Sequence, residues 1–177
     1  DNNVRAKLES MADLLLELRN DVGLTRTFIE PLFPDQPIAY YLEDNLEVME
    51  ALRALAELER RFYGDEARAN KYQAAADELH QAIVNTFRDA NTGIYHVLAG
   101  DPVPDLGVWY PNAQAQIWTL LQGLVPATSA EAREILDRVY SVWDGDPRGD
   151  WTSRSDSAWL AWAAVQAGDI ELAEQSI

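Results

Sequence analysis

The chain has 177 residues, 47% of them hydrophobic, and sets 30 Asp and Glu against 14 Lys and Arg, a net charge of −16. The apolar content suffices for a folded core and argues against disorder, while the negative charge repels phosphate backbones and speaks against nucleic acid as a partner. There is no cysteine, which excludes disulfide frameworks, thiolate metal sites and cysteine nucleophiles, and no apolar run approaches the ~18 residues of a membrane span.

Asn3–Leu18 reads as a helix. Val4, Leu8, Met11, Leu14, Leu15 and Leu18 form its apolar stripe, and Glu9, Asp13 and Glu17 take the other face. Residues 20–37 form a connector punctuated by Gly23, Pro31, Pro34 and Pro37; its Leu24, Phe28, Ile29, Leu32 and Phe33 predict that it packs down. A second helix follows over Leu42–Phe62. Glu43, Asp44 and Asn45 make a polar mouth, and Ala51, Ala54 and Ala56 fill the gaps between Val48, Leu52, Leu55 and Phe62, a helix made to be packed on most sides. Gly64 stops it and Asp65 caps the third helix, Glu66–Phe87, whose inward stripe is Tyr72, Ala75, Ala76, Leu79, Ile83 and Phe87.

Arg88–Tyr110 breaks the helical pattern. Asp89-Ala-Asn-Thr-Gly93 is a turn, and the β-prone Ile94–Leu98 predicts a short β excursion near 94–98 before a Pro- and Gly-rich loop. Asn112–Leu124 is helical and ends near Gly123 and Pro126. Ser129 begins another helix with Ile135, Leu136, Val139 and Val142 as its buried set. Asp144–Trp151 is a tight loop, Asp156–Ala167 is a nearly all-apolar helix stopped by Gly168, and Ile170–Ile177 starts the last one. Trp118, Trp159 and Trp162, inside helices, are assigned to the core.

Three segments share a design: Asp44-Asn-Leu-Glu, Asn112-Ala-Gln-Ala and Asp156-Ser-Ala-Trp. Each follows an irregular loop, opens an alanine- and leucine-rich helix, and leads through a tight turn into a more charged helix. Crowded helices alternating with half-polar ones predict an all-α, two-layer array of helical hairpins over 1–177, read as a single domain. The long returns then gather at one end, with the positive ends of the inner helix dipoles.

Tyr41-Leu-Glu-Asp-Asn45, Asp89-Ala-Asn-Thr-Gly-Ile-Tyr95, Val108-Trp-Tyr-Pro-Asn-Ala113 and Ser155-Asp-Ser-Ala-Trp159 together resemble the six-hairpin glycosidase superfamily, the (α/α)6 toroid. The resemblance runs over most of Tyr40–Ile177. It implies that the chain is part of such a toroid, a fragment of a longer catalytic domain. It implies glycoside hydrolysis at the mouth of the inner ring, with a saccharide substrate and no cofactor. Apolar inner-helix surface is then expected to stay uncovered and to favour self-association.

Glycoside hydrolysis needs one carboxylic acid to protonate the leaving oxygen and a second carboxylate to activate water or to attack. Asp44, then Glu43 and Asp156, are the candidates; Asp44 and Asp156 also suit helix N-caps, the commoner role for Asp there. Tyr41, Trp109, Tyr110 and Trp151 are candidates to stack on sugar rings, with Asn45, Asn112 and Arg154 to read hydroxyls. Aromatic packing between unevenly spaced helices is the competing explanation. No metal site is expected: Arg148 interrupts the alternating acids of Asp144–Asp150, and His80 and His96 stand apart. The competing class is a non-enzymatic helical-repeat solenoid that binds protein.

Overall fold

A computed structural model describes residues 2–28, 35–143 and 154–176, with the side chains of 2, 143 and 154–157 left aside. The described residues are all-α: seven α-helices and no strand, α1 (Asn2–Glu17), α2 (Leu42–Leu58), α3 (Glu66–Phe87), α4 (Gln114–Leu121), α5 (Ala130–Trp143), α6 (Arg154–Ala167) and α7 (Ile170–Gln175). They fall into two compact units. The first comprises Asp1–Arg88 with Leu98–Gly100, the second Asp89–Val97 with Asp101–Ile177.

In the first unit α2 and α3 form an antiparallel hairpin. Leu42, Leu46, Met49, Leu52 and Ala56 are buried on α2 at helical spacing. They face the expected stripe of α3, in which Tyr72, Ala75, Ala76, Leu79, Ile83 and Phe87 are all buried. The α-helix of α2 stops at Leu58 and widens into a π-turn over Glu59–Tyr63, so Phe62 swings out to 80% exposure instead of continuing the buried run. Gly64 takes the left-handed conformation at φ +65°, and the Asp65 side chain accepts from the Arg68 N–H, so the stop and the cap are where the sequence puts them.

α1 meets its neighbours with parts of both faces: Ala12 is buried and Leu15 and Leu18 are half-buried, while its acidic face is also engaged. Glu9 pairs with Arg68 and Asp13 with Lys71, at 2.6 Å for the latter, so the acidic face meets α3. Val4, Leu8, Met11 and Leu14 are exposed. Beyond these pairs, Arg5 lies over the Tyr63 ring and reaches Glu59 at 2.5 Å and Asp65 at 2.9 Å. The Glu59 side chain has no solvent exposure at all. Removing Arg5 would leave that carboxylate buried and unpaired, so Arg5→Ala should lower the melting temperature by about 10 °C. Arg68→Ala, at an exposed pair, should lower it by about 2 °C or less. Equal, small shifts in thermal melts would show that Glu59 does not depend on Arg5.

In the second unit α4 packs against α5 and α6, and α6 against α7. A π-turn over Trp109–Ala113 leads into α4. Ser129 caps α5 through its hydroxyl, and Ile135, Leu136 and Val139 are buried as expected. Val142, expected in the same set, is 40% exposed. Gly168 at φ +78° closes α6, and Asp169 caps α7 through the Leu172 N–H.

The expected β excursion near 94–98 does not form a strand; Leu98 makes one isolated antiparallel bridge, to Tyr41. The backbone groups that a ladder would use are already engaged. Asp89 N–H donates to Ile94 O, and the Gln116 side chain takes both the N–H and the carbonyl of Tyr95. No helix among the described residues is long and apolar enough to cross a membrane.

Candidate functional site

The head of α2 is held by a side-chain amide. After α1 the chain turns at Asn20, whose Oδ1 accepts from the N–H groups of Val22 and Leu24 while Gly23 adopts φ +94°. Leu24 is then buried, and Thr25 comes alongside the start of α2. Thr25 N–H donates to Asn45 Oδ1 at 2.7 Å, and Asn45 Nδ2 donates to Thr25 O at 3.1 Å and to Tyr41 O at 2.8 Å. Asn45 has no solvent exposure.

The second unit repeats this arrangement. Asp89 Oδ1 accepts from the N–H groups of Asn91 and Thr92, Gly93 adopts φ +71°, and Ile94 is buried. Tyr95 N–H donates to Gln116 Oε1 at 2.9 Å, and Gln116 Nε2 donates to Tyr95 O at 2.8 Å and to Asn112 O at 3.3 Å. The structural counterparts are therefore Asn45 with Gln116 and Tyr41 with Asn112. The register expected from sequence, which set Asp44 against Asn112, is corrected accordingly.

That correction changes the reading of the carboxylates. Tyr41 occupies the N-cap position of α2 without a side-chain cap, so Asp44 is not the cap; with Glu43 it sits in the first helical turn. Glu43 is half-buried, and its Oε1 is buried without a hydrogen-bond partner among the described residues. Its carboxyl is pushed up to about 7, first by burial and then by the negative charges of Asp44 and Glu47. Burial, with help from Asp44, raises Glu47 as well. Glu47 lies one helical turn beyond Glu43, a like-charge spacing already visible in the sequence. Because the folded state favours the protonated Glu43, its contribution to stability is fully present below about pH 4.5 and is lost as pH rises through about 7.

The remaining candidates divide by place. The Tyr41 ring is half-buried and meets Phe28 edge-on at 6.4 Å. Asn45 is a structural clamp with both ends of its amide engaged, so it does not read hydroxyls. Trp109 is only 7% exposed, which makes it a core residue rather than a stacking platform, whereas its neighbour Tyr110 is 67% exposed and joined to Pro111 by a cis peptide. Asn112 Nδ2 donates to Asp105 O at 3.0 Å. Trp151 lies outside the described residues, as do the side chains of Arg154 and Asp156; the backbone of the latter two is in the first turn of α6. The first unit thus gathers Tyr41, Glu43, Asp44 and Glu47 at the head of α2, and the second gathers Trp109, Tyr110 and Asn112 ahead of α4.

No protein-family model matches the chain, and no curated protein matches it.

Proposed function

We propose that the chain is part of an (α/α)6 toroid that hydrolyses glycosidic bonds, with Glu43 as the general acid. The observation that carries this reading is the half-buried Glu43 side chain, with a buried Oε1 that has no hydrogen-bond partner among the described residues. A carboxyl raised to about 7 still holds its proton near neutrality and can deliver it to a leaving glycosidic oxygen. Its buried, unpartnered Oε1 leaves that oxygen free for a substrate atom. Within the same unit, Asp44 is the carboxylate proposed for the base or nucleophile, and Tyr41 for contact to the sugar. The repeated helix–turn–helix unit, with the same amide clamp at the heads of α2 and α4, supports a hairpin array.

The test is the pH dependence of hydrolysis over a panel of neutral and acidic oligosaccharides, followed by release of reducing ends. The alkaline limb of kcat/KM should fall with an apparent pKa near 7. A limb that persists unchanged in Glu43→Gln would remove Glu43 from the acid role.

A second reading has one observation in its favour. Leu8, Met11, Ala12, Leu15, Ala51, Ala54 and Leu58 help to line an apolar groove of about 410 Å³ along α1 and α2. A non-enzymatic hairpin module would use such a groove to hold a partner helix. Saccharide turnover that responds to Glu43→Gln separates the two readings.

A further inference from the structure

α1 is mounted on its unit largely by charge. Arg5 reaches Glu59 and Asp65, Glu9 pairs with Arg68 and Asp13 with Lys71, so α1 runs alongside α3 and antiparallel to α2. Much of its apolar stripe is left uncovered: Val4 is 52% exposed, Met11 62% and Leu14 46%. Leu8, Met11 and Leu15 of α1 face Ala51, Ala54 and Leu58 of α2 across the apolar groove of about 410 Å³. Alanines on the α2 side leave room for the side chains of a further helix.

The groove carries unpaired charge of opposite sign at its two ends. Because α1 and α2 are antiparallel, Leu8 lies toward Leu58 and Leu15 toward Ala51. Lys7 stands at the Leu8 end and Glu17 at the Leu15 end, about 15 Å apart along α1 at 1.5 Å per residue. Glu47, one turn before Ala51 on α2, adds a second carboxylate at the Glu17 end. Lys7, Glu17 and Glu47 are exposed and make no hydrogen bond or ion pair among the described residues. Near Leu58 the cations of Arg60 and Arg61 are already paired, with Glu66 and Glu57.

A helix that fits this groove needs an apolar stripe with a cation toward one end and an acid toward the other, running against α1. The α1 helix of a second copy has that pattern. Turned antiparallel on a two-fold axis beside Met11, it sets Lys7 of each copy against Glu17 of the other and lays Met11 and Leu14 of each over the other's groove. A parallel copy would set Lys7 against Lys7. The net charge of −16 on each copy opposes association at long range. At 0.15 M salt the Debye length is about 8 Å, which screens that repulsion far more than it weakens contacts at ~4 Å.

We infer that α1 is a self-association surface: two copies of this chain join through antiparallel α1 helices, each seated along the other's α1–α2 groove, with the register set by Lys7 and Glu17. This needs neither reading of Glu43. A hydrolase and a non-enzymatic module can pair in the same way, and sedimentation and hydrolysis can fail separately.

The experiment is sedimentation of the full chain at about 0.15 M salt over a range of concentrations. The mass should double reversibly as concentration rises. Met11→Glu should weaken the dimer about tenfold or more, and Lys7→Glu and Glu17→Lys should each weaken it severalfold by opposing like charges. Mixing the Lys7→Glu chain with the Glu17→Lys chain should give a heterodimer tighter than either variant alone, since both contacts then join opposite charges. All three positions are exposed, so circular dichroism should show native helix content in each variant. A chain that stays monomeric up to about 1 mM overturns the inference, as does a dimer that Met11→Glu leaves intact. A mixture no tighter than its separate variants overturns the antiparallel pairing. Should Met11→Glu lose its fold, the mixing experiment decides.

Discussion

Asn45→Leu should destabilise the protein by about 4 kcal/mol, the largest loss expected from a single uncharged side chain in the first unit. The amide is fully buried and binds both backbone groups of Thr25. Leucine would leave that N–H and that carbonyl without partners in the interior, at roughly 1–3 kcal/mol each. At this chain length the melting temperature should fall by about 10 °C. Asn45→Asp should not rescue, because it deletes the donor to Thr25 O and adds a buried charge. Gln116→Leu should behave alike, since Gln116 holds Tyr95 by the same pair of bonds. Chemical denaturation gives both values; a loss under about 1 kcal/mol at both sites would mean that the returns are held by something other than these amides.

Glu43→Gln should abolish most turnover. An amide keeps the size and one hydrogen-bonding oxygen but has no proton to give, and loss of a general acid slows such reactions by about 10²–10⁴-fold. The loss should depend on the leaving group. Oligosaccharides leave as poorly stabilised alkoxides and need the proton. Aryl glycosides with an acidic phenol leave largely unaided, so their cleavage should be little changed. A uniform loss across both classes would point to damaged binding or folding and away from acid catalysis. The same substitution should stabilise the fold above pH 7, where the wild-type carboxyl must ionise while half-buried. With its partial exposure discounted, the gain should be about 1 kcal/mol. That gain marks a residue whose strained ionisation opposes stability.

Helix ends were the most legible part of the sequence because their causes are local. Gly64 with Asp65 sets a stop beside a cap and Gly168 sets another stop, and the structure uses all three in those roles. The orientation of α1 was not legible. Its periodicity gives two faces but does not say what each one meets, and Glu9 and Asp13 find their partners, Arg68 and Lys71, on a distant stretch of α3. The amide clamps were hidden for a related reason. Asn45 finds its partner 20 positions earlier in the chain and Gln116 finds its partner 21 earlier, so a polar residue near a helix start reads as a cap until its reach is seen. The acidic cluster at the head of α2 was visible as composition. The preference for Glu43 over Asp44 was not, because burial rather than residue type lifts its proton affinity.

Whether Glu43 holds a proton near neutrality can be read directly by following its side-chain carboxyl carbon by NMR through a pH titration, with Glu43→Gln to assign the resonance. A midpoint near 7 is expected. A midpoint at the ordinary 4.5 would leave Glu43 ionised at neutral pH and contradict its assignment as the acid.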